Sequence, residues 1–144
     1  MSKGKILVVD DEVYIVQILE FSLSRIEGYD VVTASDGEEA LEKVAAEHPD
    51  LIVLDVMMPK MDGYETCKRL KEEEATRSIP VILLSAKGRT IDQNKGFEAG
   101  ADDYITKPFS PRKLIEKINY VLGKSNGAES TPAMSPAPGS EPNL

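Results

Sequence analysis

Leu51-Ile52-Val53-Leu54-Asp55 sets four apolar residues in a row against one carboxylate. A short run without polar alternation is the mark of a strand covered on both faces, and such strands belong to parallel sheets. Three more runs end the same way. Lys5–Val9 runs into Asp10-Asp11, Val81–Leu84 into Ser85, and Tyr104–Thr106 into Lys107-Pro108. Short apolar runs alternating with helical patterns predict a parallel sheet. In such a sheet the site lies at the carboxyl ends of the strands. Three carboxylates, a hydroxyl and a cationic amine are thereby expected along one edge.

The segments between the runs carry helical spacing. Val13–Ile26 places Val16, Leu19, Leu23 and Ile26 on one face, and Gly28 closes it. Asp30–Ala34 is a short β-branched strand. Ser35 opens a capping box with Glu38, and the helix that follows turns Ala40, Leu41, Val44 and Ala45 inward and stops before Pro49. Asp62-Gly63 turns into a third helix ending near Glu74. Ile79–Leu84 is another apolar strand, with Pro80 tolerated only at its start. Thr90–Ala99 is a weaker helix that contains Gly96 and ends at Gly100. After the strand Asp103–Thr106, Ser110-Pro111 is an N-cap with proline at the first helical position. The last helix shows an apolar face of Leu114, Ile115, Ile118, Val121 and Leu122 and meets Gly123.

Five strands and five helices in alternation predict an α/β fold: a doubly wound, five-stranded parallel sheet with helices on both faces. Residues 1–124 form one domain of ordinary size. Residues 125–144 hold four of the nine prolines, much Ser and Ala, and no periodicity. They are expected to be a disordered tail or linker.

Composition removes several functions. The 144 residues carry 25 acidic and 17 basic side chains, a net charge of -8, and no Lys/Arg cluster. Direct nucleic-acid binding is not expected. Cys67 is alone, which excludes an intrachain disulfide and fits a reducing compartment. The single histidine, His48, sits before Pro49, so Cys67 and His48 read as packing and surface residues, not as nucleophile and base. No apolar stretch nears the roughly 18 residues of a membrane span, and Met1–Lys5 has no signal-peptide character. A cytoplasmic protein is expected.

Adjacent carboxylates at Asp10-Asp11, with Asp55 across the cleft, repel one another. A hard divalent cation relieves that repulsion, and Mg2+ suits a site of few carboxylates that keeps waters for a phosphate to replace. The Asp pair alone fits helix capping equally well; Asp55 at the matching place on another strand favours the metal. A rigid, partly desolvated carboxylate such as Asp55 can attack phosphorus to give an acyl phosphate. Transfer then needs positioning and neutralisation of oxygen charge. The Lys107 ammonium can pair with one oxygen and the Ser85 hydroxyl can donate to another. Separately, Lys107 is a surface charge and Ser85 a strand-end cap; together they share one edge. A cis bond at Lys107-Pro108 would aim the lysine inward, and spacing leaves both isomers open.

Taken together, Val8-Val9-Asp10-Asp11-Glu12, Asp55 followed by Met58-Pro59 and Met61-Asp62-Gly63, Ser85-Ala86, and Gly100-Ala101-Asp102-Asp103-Tyr104 leading to Lys107-Pro108-Phe109 resemble the receiver domain of two-component response regulators. The resemblance spans about residues 3–123. It implies a flavodoxin-like sheet of strand order 2-1-3-4-5. It also implies that Asp55 takes a phosphoryl group from a histidine kinase or a histidine phosphotransfer protein. Asp11 and Asp55 would bind Mg2+ directly with the Met57 backbone carbonyl, and Asp10 largely through water. Ser85 and Tyr104 would be a switch pair, and Lys107-Pro108 would be cis. The face of the fourth helix, fifth strand and fifth helix would contact a downstream protein target, and could support a phosphorylation-dependent homodimer. Such a chain is a phosphoacceptor that assists its own phosphorylation and dephosphorylation, not an enzyme.

Other classes fit less well. A haloacid-dehalogenase-type phosphatase needs a second Asp two residues past the first, where this chain has Met57. Gly123-Lys124-Ser125 looks like part of a P-loop, but the preceding glycine would fall at Ile118 and the tripeptide follows a helix instead of opening one. Nothing after Lys124 forms a helix-turn-helix, which speaks against a DNA-binding regulator. A stand-alone regulator or phosphorelay carrier, a receiver excised from a larger regulator, and a degenerate receiver used as a scaffold all remain consistent with the residues. Met57, two past Asp55, and Lys87, two past Ser85, cannot orient an attacking water. By this analogy self-dephosphorylation is slow and Met57→Asn shortens the phosphoprotein lifetime; an unchanged lifetime, followed by intact mass, refutes the idea.

Overall fold

A computed structural model of the chain describes residues 3–58, 60–85 and 98–125. Five strands, β1 (Lys5–Val9), β2 (Asp30–Ala34), β3 (Leu51–Asp55), β4 (Val81–Ser85) and β5 (Asp103–Thr106), pair in parallel in the order β2-β1-β3-β4-β5. This is the flavodoxin-like order. Among the described residues four helices flank the sheet: α1 (Val13–Phe21), α2 (Gly37–Glu47), α3 (Gly63–Glu72) and α4 (Pro111–Ser125). The helix expected over 90–99 lies outside the described residues except for its end, and so does the expected tail beyond Ser125.

Two apolar layers explain why the central runs lack polar alternation. Leu7, Val9, Ile52, Leu54, Val81 and Leu83 pack with Ala40 and Val44 of α2 and Cys67 and Leu70 of α3. Their strand neighbours Ile6, Val8, Leu51, Val53, Ile82 and Leu84 pack with Leu19 and Leu23 on one side and Leu114 and Ile118 of α4. Alternate residues of a strand face opposite sides, so a strand buried on both must be apolar throughout. Each such side chain contributes about 1.5–3 kcal/mol on burial.

The structure departs from the sequence expectations at several element ends. The first helix changes to a π turn over Ser22–Ile26, where the Glu27 N–H donates to the Ser22 carbonyl at 3.2 Å. The wider turn carries Ser22 and Leu23 inward and turns Ile26 out to 65% exposure; a three- and four-residue spacing cannot register that slip. The cap of α2 is Asp36, one residue later than expected, and its carboxylate accepts from the Glu39 N–H at 2.8 Å. Glu39 in turn accepts from the Ser35 N–H at 2.9 Å, so a charged acceptor displaces the Ser35–Glu38 pair. Ala45 is exposed, outside the apolar stripe of α2. β4 begins at Val81, after Pro80, and α4 continues past Gly123.

Two joints set the ends of the sheet. At the amino end, the Lys71 ammonium donates to the carbonyls of Arg77 at 3.2 Å and Ile79 at 2.8 Å and pairs with Asp102 at 3.0 Å. The same Asp102 oxygen accepts from the Val81 N–H at 2.8 Å, which ties the starts of β4 and β5 together. At the carboxyl end, the Gly63 N–H donates to the Val56 carbonyl at 2.9 Å. A Cβ at Gly63 would lie 2.4 Å from the Asp55 carbonyl oxygen and 2.8 Å from Val56 Cα. Backbone against backbone cannot give way, so α3 is pressed onto the end of β3 only because residue 63 has no side chain. Gly63→Ala is therefore expected to destabilise the domain by about 2 kcal/mol or more, read from urea or thermal unfolding.

Candidate functional site

The site is built by strand ends. Asp10 follows β1, and its N–H donates to the Ala34 carbonyl at the end of β2, at 3.2 Å. Asp55 is the last residue of β3. Both residues are buried, each 2% exposed, whereas Asp11 is exposed. Ligand oxygens of Asp10, Asp11 and Asp55 all lie within 4.8 Å of one another. Lys107 follows β5, its N–H donates to the Ser85 carbonyl at 2.7 Å, and the Lys107-Pro108 bond is cis. Its ammonium lies 2.9 Å from Glu12, 3.0 Å from Asp10 and 3.2 Å from Asp55.

One ammonium thus faces Asp10, Glu12 and Asp55, with Asp11 in the same acidic cluster. Burial, and then the Asp10 charge, push the Asp55 carboxyl up to about 6, against the pull of Lys107 and the Met57 N–H. Burial works against the charged form of Lys107, but its contacts with Glu12 and Asp10 and the charge of Asp55 outweigh this and raise it. Asp10 Oδ1 accepts from the Glu12 N–H at 2.9 Å. Its other oxygen, Oδ2, is fully buried; Lys107 stands close enough to compensate its charge, but no donor is aligned on it. A buried, incompletely paired carboxylate oxygen among three hard donors fits a small divalent cation such as Mg2+.

Ser85 is buried at the end of β4, one residue beyond the Asp55–Leu84 register pair. Tyr104 pairs with Leu83 in register on β5 and packs against the α2–α3 side of the sheet. Strand alternation puts the Ser85 side chain on that same side. Met57 follows β3 with its side chain 61% exposed. Pro59, Ala86 and Lys87 lie outside the described residues. Cys67 is buried in the core, where burial pushes its thiol up to about 11, and His48 ends α2 with φ 50. Neither joins the site. The residue that sequence reasoning passed over is Glu12: its partner Lys107 is 95 positions away, and no local pattern signals the contact.

The raised Asp55 carboxyl carries a stability prediction. The unfolded chain ionises this group near 3.8, the folded chain near 6, so folding binds a proton between these values. The cost of the charge is absent below pH 3.8 and complete above about pH 6. Asp55→Asn should therefore stabilise the metal-free domain by about 1–2 kcal/mol at pH 8. The gain should fade as the pH falls through that window, and Mg2+ should stabilise the wild type more than the variant. Unfolding curves across pH, with and without Mg2+, check all three.

The family model for the response regulator receiver domain matches residues 6–119. The chain is 54% identical over 121 residues to the alkaline phosphatase synthesis transcriptional regulatory protein PhoP of Bacillus subtilis, covering 84% of this chain and 49% of that protein. It spans about half the length of the curated relatives it matches. Among solved structures, the N-terminal domain of a response regulator receiver protein from Methanoculleus marisnigri superposes with a TM-score of 0.68 at 45% identity, covering 84% of this chain and 98% of that one. The chemotaxis response regulator CheY4 of Vibrio cholerae gives a TM-score of 0.77 at 34% identity, covering 82% and 98%. With a family match across residues 6–119, and the matching sheet beneath it, the chain belongs to the receiver domains of two-component response regulators.

Proposed function

We propose that Asp55 accepts a phosphoryl group from the phosphohistidine of a cytoplasmic histidine kinase or histidine phosphotransfer protein, and that the acyl phosphate changes which proteins the domain binds. The observation that supports this most is the reach of Lys107 from the far side of the sheet to both Asp10 and Asp55. An Asp55 carboxylate oxygen attacks phosphorus, the phosphorus–nitrogen bond breaks, and the leaving imidazole takes a proton from solvent. Asp10, Asp11 and Asp55, with the Met57 carbonyl, would hold Mg2+, which supplies neutralising charge for the phosphoryl oxygens when bound. The Lys107 ammonium neutralises a further oxygen and the Ser85 hydroxyl donates to another. In this reading the chain is a phosphoacceptor switch, not an enzyme with a separate substrate.

Partner surfaces fit the same reading. Tyr14, Ile18 and Phe21, at helical spacing on α1, are exposed large apolar residues that begin just beyond Asp11. They offer a phosphodonor protein an apolar surface beside the site. The shared sheet face of Ser85 and Tyr104 supports a switch in which the hydroxyl moves toward the phosphoryl group and the ring follows. The change would be read on the face of β5, α4 and the helix expected over 90–99, by a target protein or a second copy of the chain.

The PhoP relative is a transcriptional regulatory protein, which supports a receiver that governs a transcriptional output. The acidic receiver supplies no Lys/Arg cluster for nucleic acid, so DNA contact would belong to a further domain. A second reading is a free-standing regulator or carrier that acts through protein contacts alone, which an acidic chain without a Lys/Arg cluster also suits.

Intact mass after incubation with Mg2+ and acetyl phosphate tests the phosphoacceptor step. Wild type should gain one phosphoryl group that is stable in acid and lost in hydroxylamine, and Asp55→Ala should gain none. A folded wild type that gains nothing from acetyl phosphate or from histidine kinases is a degenerate receiver, a binding scaffold only.

A further inference from the structure

We propose that Glu12 is a positioning residue: it holds the Lys107 ammonium in the resting domain and must release it before a phosphoryl oxygen can take its place, so that Glu12 slows phosphorylation. The inference rests on the phosphoacceptor reading of Asp55. An ammonium has three N–H donors. Lys107 Nζ has three carboxylate neighbours, Glu12 at 2.9 Å, Asp10 at 3.0 Å and Asp55 at 3.2 Å. With three carboxylates crowded around the ammonium, an arriving phosphoryl oxygen must displace one of them.

Asp10 and Asp55 are poor candidates to yield. Their side chains are 0% and 3% exposed, and a buried carboxylate that loses its counterion has no water to replace it. The Glu12 side chain is 61% exposed, and water takes over its solvation at little cost. Nor does its own helix hold it. Glu12 stands at the N-cap position of α1 with extended backbone, φ -89 and ψ 109, yet makes no side-chain capping bond. Its carboxylate reaches Lys107 instead, in a contact with hydrogen-bond geometry, whereas the closely placed Asp10 Oδ2 has no aligned donor. The aligned donor of Lys107 thus goes to the exposed acid at the rim of the cluster, while Asp10 Oδ2, 3.0 Å away, receives none.

The test is the rate of adduct formation at saturating Mg2+ across acetyl phosphate concentrations, for wild type, Glu12→Gln and the control Glu20→Gln, an exposed acid elsewhere on α1. Glu12→Gln should raise the maximal rate at saturating donor by about 3- to 5-fold, the upper scale of one exposed charge contact. The gain should persist at high salt, where simple repulsion of an anionic donor is screened. Glu20→Gln should stay within about twofold of wild type. A Glu12→Gln rate at or below that of wild type, or a gain confined to low salt, overturns the inference while leaving Asp55 as phosphoacceptor. A wild type without adduct overturns the phosphoacceptor reading itself, and this inference with it.

Discussion

A shortage of positive charge governs this domain. Two of its carboxylates are buried at the ends of adjacent strands, a third is exposed beside them, and one lysine from the edge strand β5 reaches in to the two buried ones. Buried ions are tolerated only when paired, and here the pairing is incomplete. The core makes this arrangement affordable. Apolar layers on both faces lock β1, β3 and β4, so the acids cannot spread apart to relieve their repulsion. Gly63 closes the same end by letting the start of α3 press on the Asp55 backbone. The fold thus keeps an unfavourable cluster assembled, which is what a cation and a phosphoryl group need to find.

Much of this was legible from residues alone because burial on both faces leaves an unambiguous trace. Leu51–Leu54 and Val81–Leu84 carry no polar residue, and each stops at a chemical group, so strand boundaries and site residues came from one signal. Strand order was different: it depends on which strands cross over which, and came from the family resemblance, not from periodicity. The π turn at Ser22–Ile26 was hidden because one extra residue per turn leaves composition untouched while rotating Ile26 outward. Ser35–Glu38 and Asp36–Glu39 share the same spacing, and only the backbone geometry chooses between them. The Glu12–Lys107 contact was out of reach for a plainer reason, since it joins the two ends of the domain.

The two lysines show how differently one side chain can be used. Lys71 gives its donors to two carbonyls and one carboxylate, all of which belong to the frame. Lys107 stands among three carboxylates, and one oxygen of Asp10 still lacks an aligned donor. The first arrangement is saturated and closed. The second leaves a demand that an added cation can meet.

These lysines sit at opposite ends of the sheet, and the contrast has a mechanical meaning. The amino end, bolted through Lys71, Asp102 and the Val81 N–H, behaves as the fixed end of a cantilever. The carboxyl end, where like charges push outward, is the free end under preload. A cation or phosphoryl group arriving there meets stored repulsion, while the clamped end keeps its own charges paired. Charge added or removed at the tip therefore falls where the repulsion is stored, not where the register of β4 and β5 is set.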